Sequence, residues 1–209
     1  MKVGIIGTGN IGKALTKAFT EKGIHVMVGS RDPQKAAEIA GQMHHFASSG
    51  NITSAIHYGE IIVLAVPYKA IEETLRNGAS FEGKIVVDCT NPLVYGEDVH
   101  LAIGHKTSAA EQIAAMVPGA YVVKAFNTAF AHLVEQGPYF GAHDASMFYC
   151  GNDPQAKDQV KILIEAAGFD PVDCGPLISA RELEPMASLI IRLSRSGKGN
   201  DIAFKLLSR

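Results

Sequence analysis

Gly7-Thr8-Gly9-Asn10-Ile11-Gly12 sets three glycines at G-x-G-x-x-G spacing, between an apolar run at residues 3–6 and a segment of helical period. A loop of this kind, placed after a strand and at the mouth of a helix, can bind a pyrophosphate. Gly7 permits the tight turn, Gly9 lets the backbone approach the phosphates without a Cβ in the way, and Gly12 lets the helix pack close to the strand. The anion then meets free N–H groups and the positive end of the helix dipole. The same residues match a P-loop up to its last position, Gly7-x-x-x-x-Gly12-Lys13, but Ala14 stands where a Ser or Thr hydroxyl would hold Mg²⁺. We therefore set aside a nucleoside triphosphatase and read Lys13 as a solvent-facing helix residue.

The second strand bears on which dinucleotide is bound. An NAD site places an acid at that strand's tip, about 20 residues past the last glycine. Ser30 lies 18 residues past Gly12 and Asp32 lies 20 past it, so spacing alone does not choose. Asp32-Pro33 reads as a helix start, with Asp as N-cap and Pro at the first helical position. That leaves Ser30 and Arg31 at the tip, with Lys35 in the first turn that follows. A hydroxyl, a guanidinium and an ammonium suit a 2′-phosphate dianion, and the Arg fork can bind two of its oxygens. The expected cofactor is NADP(H) rather than NAD(H); the competing reading is a polar turn with Arg31 and Lys35 exposed.

Ala65-Val66-Pro67-Tyr68 follows the central strand and Asp88-Cys89-Thr90-Asn91-Pro92 follows the next. In a doubly wound sheet these loops border the nicotinamide half of the cofactor, and Phe126-Asn127-Thr128 occupies the equivalent place across the crevice. Asn91 also reads as a turn residue before Pro92, and Asn127 or Thr128 as a helix cap. No catalytic residue is assigned. His132, Tyr68 and Lys124 are the nearest proton donors by loop placement, each equally readable as structural. None of the six tyrosines has a Lys four residues on, which excludes a Tyr-x-x-x-Lys carbonyl reductase pair. His44-His45, His100 and His105 lack metal-ligand spacing and have no cysteine beside them, so no metal is expected. Cys89, Cys150 and Cys174 form no Cys-x-x-Cys pair and read as buried free thiols.

Positioning these loops calls for alternating strands and helices. Val- and Ile-rich runs recur at residues 3–6, 25–28, 61–66, 85–88, 121–123, 147–150 and 171–174. Helix-period segments lie between them, the cleanest with Ile11, Ala14, Leu15, Ala18 and Phe19 on one face; others span residues 33–42, 69–76, 107–116 and 154–167. The pattern predicts an α/β, Rossmann-type, doubly wound and mostly parallel sheet. After Pro176 the alternation stops, and Met186, Leu189, Ile190 and Leu193 mark one longer helix. The expected organisation is an NADP-binding domain at 1–124 and a small C-terminal portion at 125–209 that extends the sheet and closes the acceptor site.

The 209 residues can bury one sizeable core. A net charge of −2 and a charged fraction of 19%, below the usual ~25%, argue against nucleic-acid binding, a polybasic anchor or disorder. The longest apolar run, residues 61–67, is far short of the ~20 needed to cross a bilayer. With no apolar h-region at the start, a cytoplasmic location is expected.

The motifs above, with Val28-Gly29-Ser30-Arg31, Lys124-Ala125-Phe126-Asn127-Thr128, Cys150-Gly151-Asn152-Asp153 and Cys174-Gly175-Pro176-Leu177, resemble the deazaflavin (coenzyme F-420):NADP oxidoreductases. They are similar as well to the cytoplasmic domain of the STEAP metalloreductases. The resemblance covers nearly the whole chain. It implies a homodimer that exchanges hydride between NADPH and a flavin-like acceptor. It also implies that Thr8, Asn10 and Ile11 contact the pyrophosphate region, Ser30, Arg31 and Lys35 the 2′-phosphate, and Val66 and Pro67 the nicotinamide. Phe126-Asn127-Thr128-Ala129-Phe130 differs from the Leu-His-Thr run of deazaflavin reductases, so the resemblance speaks more to NADPH than to what it reduces.

Hydride exchange between two flat rings needs stacking and position more than an acid or base. The leading expectation is therefore NADPH-dependent reduction of a flavin, deazaflavin or similar small-molecule acceptor. Reduction of a small imine or carbonyl, which would need a proton donor, is the alternative enzyme. A non-catalytic NADPH sensor is the alternative from another class.

Overall fold

The Val- and Ile-rich runs meet in one eight-stranded sheet because both of their faces are covered. The structure is a computed structural model that describes residues 1–76 and 79–209, with the side chain of His44, and so its part in the metal expectation, outside what is described. Val3, Ile5, Ile61, Val63, Val87 and Val123 point to one face, and Ile6, Ile62, Leu64, Val86 and Val122 to the other. Burial of each such side chain is worth about 1.5–3 kcal/mol relative to leaving it exposed.

Along the chain the elements are β1 (Lys2–Ile6), α1 (Asn10–Glu21), β2 (His25–Gly29), α2 (Pro33–Gly41), β3 (Ala47–Gly50), α3 (Ile52–Tyr58), β4 (Ile61–Leu64), α4 (Ile71–Leu75) and β5 (Ile85–Asp88). A hairpin of β6 (Leu93–Tyr95) and β7 (Val99–Leu101) follows, then α5 (Ala109–Met116), β8 (Tyr121–Lys124) and α6 (Ala131–Gln136). The last part holds a second hairpin, β9 (Tyr139–Phe140) and β10 (His143–Asp144), then β11 (Ser146–Gly151), α7 (Pro154–Ala166), β12 (Asp170–Asp173) and α8 (Ala180–Leu193).

The sheet order is β12-β11-β8-β5-β4-β1-β2-β3. From β3 to β8 all strands run parallel; β11 pairs antiparallel with β8 and β12 runs parallel to β11, so the sheet continues past residue 124. The chain reverses its direction of travel at β1 and β4, where a crevice opens beyond the strand ends. Register makes this crevice a site: Gly29, Ile6, Leu64, Asp88 and Lys124 are successive partners across one row. The residues that follow them, Ser30, Gly7, Ala65, Cys89 and Ala125, therefore leave the sheet along one edge.

Several elements depart from the expected pattern. The strand expected at 61–66 ends at Leu64, where Ala65-Val66-Pro67 turns out of the sheet. The polar strand β3, helices α3 and α6 and both hairpins were not anticipated. The last helix buries Ala180, Leu183, Glu184, Ala187 and Ile190, while Leu189, one of the apolar residues that mark it in the sequence, is 49% exposed. Its rotation is set by Glu184, which finds buried polar partners and so belongs to the inward face.

Candidate active site

The glycine loop is fixed from below and open from above. Gly7 has φ +125°, and a Cβ there would lie 2.3 Å from the Ala65 carbonyl oxygen. At Gly12 a Cβ would meet the Gly7 oxygen at 2.2 Å. These contacts lock the loop between the end of β4 and the start of α1. At Gly9 a Cβ would meet nothing within 4 Å, and no side chain caps the first turn of α1. Open space thus lies in front of unpaired helix amides, the arrangement that favours an anion.

A hollow of ≈ 180 Å³ continues from the loop to the tip of β2, lined by Thr8, Gly9, Ser30 and Arg31 on one side and Ala70 and Thr74 on the other, with Ile52 beneath. Asp32 is engaged as the cap of α2: it accepts hydrogen bonds from the Gln34 and Lys35 amides, with Pro33 at the first helical position. The Ser30 hydroxyl oxygen accepts from the Asp32 amide at 3.1 Å. Arg31, 69% exposed at its side chain, lies 3.0 Å from Glu73 of α4. Lys35 Nζ is 3.7 Å from Asp32. The hydroxyl and both cations stand together at the strand tip, each cation facing a carboxylate.

The hollow shares Ala65, Val66 and Pro67 with a larger cleft of ≈ 880 Å³. Ile11, Tyr68, Lys69, Cys89, Thr90 and Asn91 line this cleft, together with Leu93, Val94 and Tyr95 of the β6–β7 hairpin and Ala102 after it. Asn91 and Asn127, predicted on opposite sides of the crevice, touch. The Asn91 amide donates to the Asn127 backbone oxygen, and the Asn127 amide donates to Asn91 Oδ1, both at 3.0 Å. Asn127 donates as well to the Leu183 carbonyl at 2.9 Å, which ties it to α8. Neither Asn127 nor Thr128 caps a helix, since α6 starts after Phe130. Phe126 takes φ +60° though it is fully packed, a conformation that costs about 1–3 kcal/mol. Among the described residues the Thr90 hydroxyl and Asn127 Oδ1 are buried without a hydrogen-bond partner.

Of the residues singled out by sequence, Gly7, Thr8, Gly9, Ser30, Arg31, Ala65, Val66 and Pro67 line the hollow, and Ile11 and Asn91 line the cleft. Gly12 supports the loop from beneath, Asn10 is exposed at the helix start, Lys35 stands outside the hollow's lining, and Asn127 is buried behind Asn91. Sequence reasoning missed Ile52 and Thr74 in the hollow's lining, Glu73 beside Thr74, and the hairpin. The apolar triplet Leu93-Val94-Tyr95 and the alternating Val99-His100-Leu101, separated by Gly96-Glu97-Asp98, were the signal for it.

A buried ion cluster holds the cleft floor. Lys124 Nζ, at the end of β8, donates to Asp88 at 2.8 Å, to Glu184 at 3.0 Å and to the Thr90 carbonyl at 2.5 Å. Glu184 also accepts from the Ala109 and Ala110 amides at the start of α5. Burial pulls the Lys124 ammonium down, but the charges and hydrogen bonds of Asp88 and Glu184 together outweigh it, so the pKa is raised and the group stays charged. Burial pushes the Glu184 carboxyl up against the opposing pull of Lys124. Lys124 is thereby a structural cation rather than a proton donor to the cleft. Of the other candidate donors, His132 stacks on Phe130 and approaches Asp201 at 3.8 Å. Tyr68 lines the cleft and donates to Gln112; burial first, then Glu184 and Asp88, raise its pKa and keep the phenol neutral. Burial also raises the Cys89 thiol far above its ordinary range, so it is no nucleophile. Among the described residues no three His, Cys, Asp or Glu side chains form a metal-holding group, and no helix is long and apolar enough to cross a membrane.

Comparison with known proteins gives these features a context. Residues 2–92 match the family model described as NADP oxidoreductase, coenzyme F420-dependent. The chain is 30% identical to the F420-dependent NADP reductase of Methanothermobacter marburgensis, covering 93% of this chain and 92% of that one. It is 35% identical to the metalloreductase STEAP3 of Rattus norvegicus over 88% of its own length, but spans only 36% of that protein. A chain from Arthrobacter sp. FB24, solved under the provisional description of an F420-dependent NADP reductase, superimposes with a TM-score of 0.90 at 30% identity, covering all of both chains.

Proposed function

The chain belongs to the coenzyme F420-dependent NADP oxidoreductase family and is an NADP-dependent oxidoreductase, and on that premise we propose that it moves hydride between NADP(H) and the flat ring of a flavin, deazaflavin or similar acceptor in the cleft beside Val66 and Pro67. Bound NADPH supplies the hydride. The amides of Gly9, Asn10 and Ile11 with Thr8 hold the pyrophosphate, on a loop fixed by Gly7 and Gly12. Ser30, Arg31 and Lys35 hold the 2′-phosphate, and Ala65-Val66-Pro67 and Asn91, backed by the buried Asn127, border the nicotinamide. Open space at Gly9 and the hydroxyl, guanidinium and ammonium at the β2 tip support the fit of this cofactor. The partnerless hydroxyl of Thr90, a residue of the cleft lining, supports a polar ligand group at the nicotinamide end.

One observation carries the choice of acceptor: the cleft is walled mainly by apolar side chains, with Lys69 its one charged group and no carboxylate or histidine among the described residues of its lining. A carbonyl or imine would need a proton as well as a hydride, whereas a flat ring needs chiefly to be stacked and held. Tyr68 favours imine or carbonyl reduction, because its neutral phenol lines the cleft beside the Lys69 ammonium. We assign residues 125–209 to the side that closes on the acceptor. The support is that α8 packs on β7, with the Ser188 hydroxyl 3.4 Å from the Val99 carbonyl. We take the working form to be a homodimer, a reading that sedimentation of the purified protein tests.

The acceptor reading is tested by following the loss of NADPH absorbance with FMN, FAD, F420, a ferric chelate and a cyclic imine, in the wild type and in Tyr68→Phe. The expected result is turnover with a flavin or deazaflavin that survives Tyr68→Phe. Turnover with the imine alone, abolished by Tyr68→Phe, would replace it with the imine reductase reading; reduction of the chelate alone would point to a metalloreductase.

A further inference from the structure

The Arg31–Glu73 pair joins the two walls of the hollow, from the tip of β2 to α4. Arg31 Nη1 lies 3.0 and 3.2 Å from the two Glu73 carboxylate oxygens, and both side chains are about two-thirds exposed. Glu73 is the neighbour of Thr74, which lines the hollow. The second cation at the tip, Lys35, faces Asp32 at 3.7 Å, so the four charged groups sum to zero. A dianionic phosphate arriving there meets a neutralised cluster rather than two free cations. Asp32 cannot yield, because its carboxylate caps α2. Among the described residues, Glu73 has Arg31 as its polar partner and can give it up.

We propose that Glu73 is a specificity-determining residue that competes with the cofactor's 2′-phosphate for Arg31. The inference rests on the reading that Arg31 holds that phosphate. Glu73 occupies Nη1, so a phosphate bound by the guanidinium either displaces the carboxylate there or meets a partly neutralised cation, and in both cases the nearby carboxylate repels the dianion. An uncharged ribose 2′-hydroxyl makes no such demand, and the pair stays closed over it. Glu73 therefore weakens NADP(H) without weakening NAD(H), and narrows the discrimination that Ser30, Arg31 and Lys35 alone would give.

Fluorescence titration of the purified protein with NADPH and NADH, at low and high salt, tests this in Glu73→Gln and Glu73→Ala. Both variants are expected to bind NADPH about two- to five-fold more tightly, the range for loss of one exposed ionic contact, with NADH unchanged. The gain should fade at high salt, where exposed charges are screened. An unchanged or weaker affinity for NADPH in both variants overturns the proposal and makes Glu73 a support for Arg31 rather than its competitor. Arg31→Ala, run alongside, separates the two levels. If it weakens NADPH selectively while the Glu73 variants do nothing, only the competition fails. If it weakens NADPH and NADH equally, the 2′-phosphate assignment fails and the competition with it.

Discussion

Replacing Lys124 with Met isolates the electrostatic support beneath the cleft. The side chain is fully buried, as are its partners Asp88 and Glu184. Met keeps much of the volume but leaves two carboxylates and the Thr90 carbonyl without their shared donor. Removing one partner of a buried ion pair costs about 3–5 kcal/mol. The lower end applies here, because Asp88 retains the Thr90 amide and Glu184 the Ala109 and Ala110 amides. A loss of about 3 kcal/mol lowers Tm by about 6–12 °C for a chain of this size. The pH dependence has a definite sign. The Glu184 carboxyl is already raised by burial, and loss of the opposing Lys124 charge raises it further. A carboxyl whose folded pKa lies above its ordinary value favours the fold when protonated, so the variant loses stability as pH rises from about 4.5 through the raised value. Thermal or urea denaturation should therefore show a larger deficit near pH 8 than near pH 5, and Lys124→Met/Glu184→Gln should recover part of it at the higher pH. A deficit below about 1 kcal/mol that does not change with pH would refute a desolvated cluster at this position.

The glycine loop and the thiols give two further tests. Gly7→Ala should destabilise by about 1–3 kcal/mol or more, since it strains a positive φ and drives Cβ to 2.3 Å from the Ala65 oxygen. Gly9→Ala should leave Tm unchanged and weaken NADPH about tenfold, because its Cβ enters only the open space assigned to the pyrophosphate; equal Tm losses in the two variants would contradict the division of roles. In a timed thiol assay on the native protein, Cys174 should react first. Cys89, though it lines the cleft, is largely buried and its thiol is pushed far up by burial, and Cys150 is fully buried and pushed up to about 12. Faster labelling of Cys89 than of Cys174 would contradict the burial that raises the Cys89 thiol.

What could be read from the sequence was local, and what could not was set by distant contacts. The glycine spacing, the Asp32-Pro33 cap and the loops after each strand are visible because turn and cap chemistry acts over a few residues. Glu73 lies 42 residues from Arg31 and Glu184 lies 60 from Lys124, and no local pattern pairs them. The polar strand β3 exists because it pairs along the edge of β2, not because Ala47-Ser48-Ser49-Gly50 alternates in polarity.

The last helix shows how one such pairing could have been anticipated. Of the apolar residues that mark this helix in the sequence, Met186, Leu189, Ile190 and Leu193, only Ile190 is buried; Ala180, Leu183, Glu184, Ala187 and Ile190 lie inside at helical spacing, with a glutamate in the stripe. An ionisable residue inside an otherwise continuous buried face must find a partner of opposite charge or a set of donors, since burying it alone costs too much. Two other ionisable residues end apolar strands here, Asp88 on Ile85–Asp88 and Lys124 on Tyr121–Lys124, on adjacent parallel strands in register. Lys124 is the single cation among the three, so it must serve both acids. That requirement turns α8 toward the ends of β5 and β8 and brings the Leu183 carbonyl to Asn127, so the helix and the far side of the crevice are set by one buried charge.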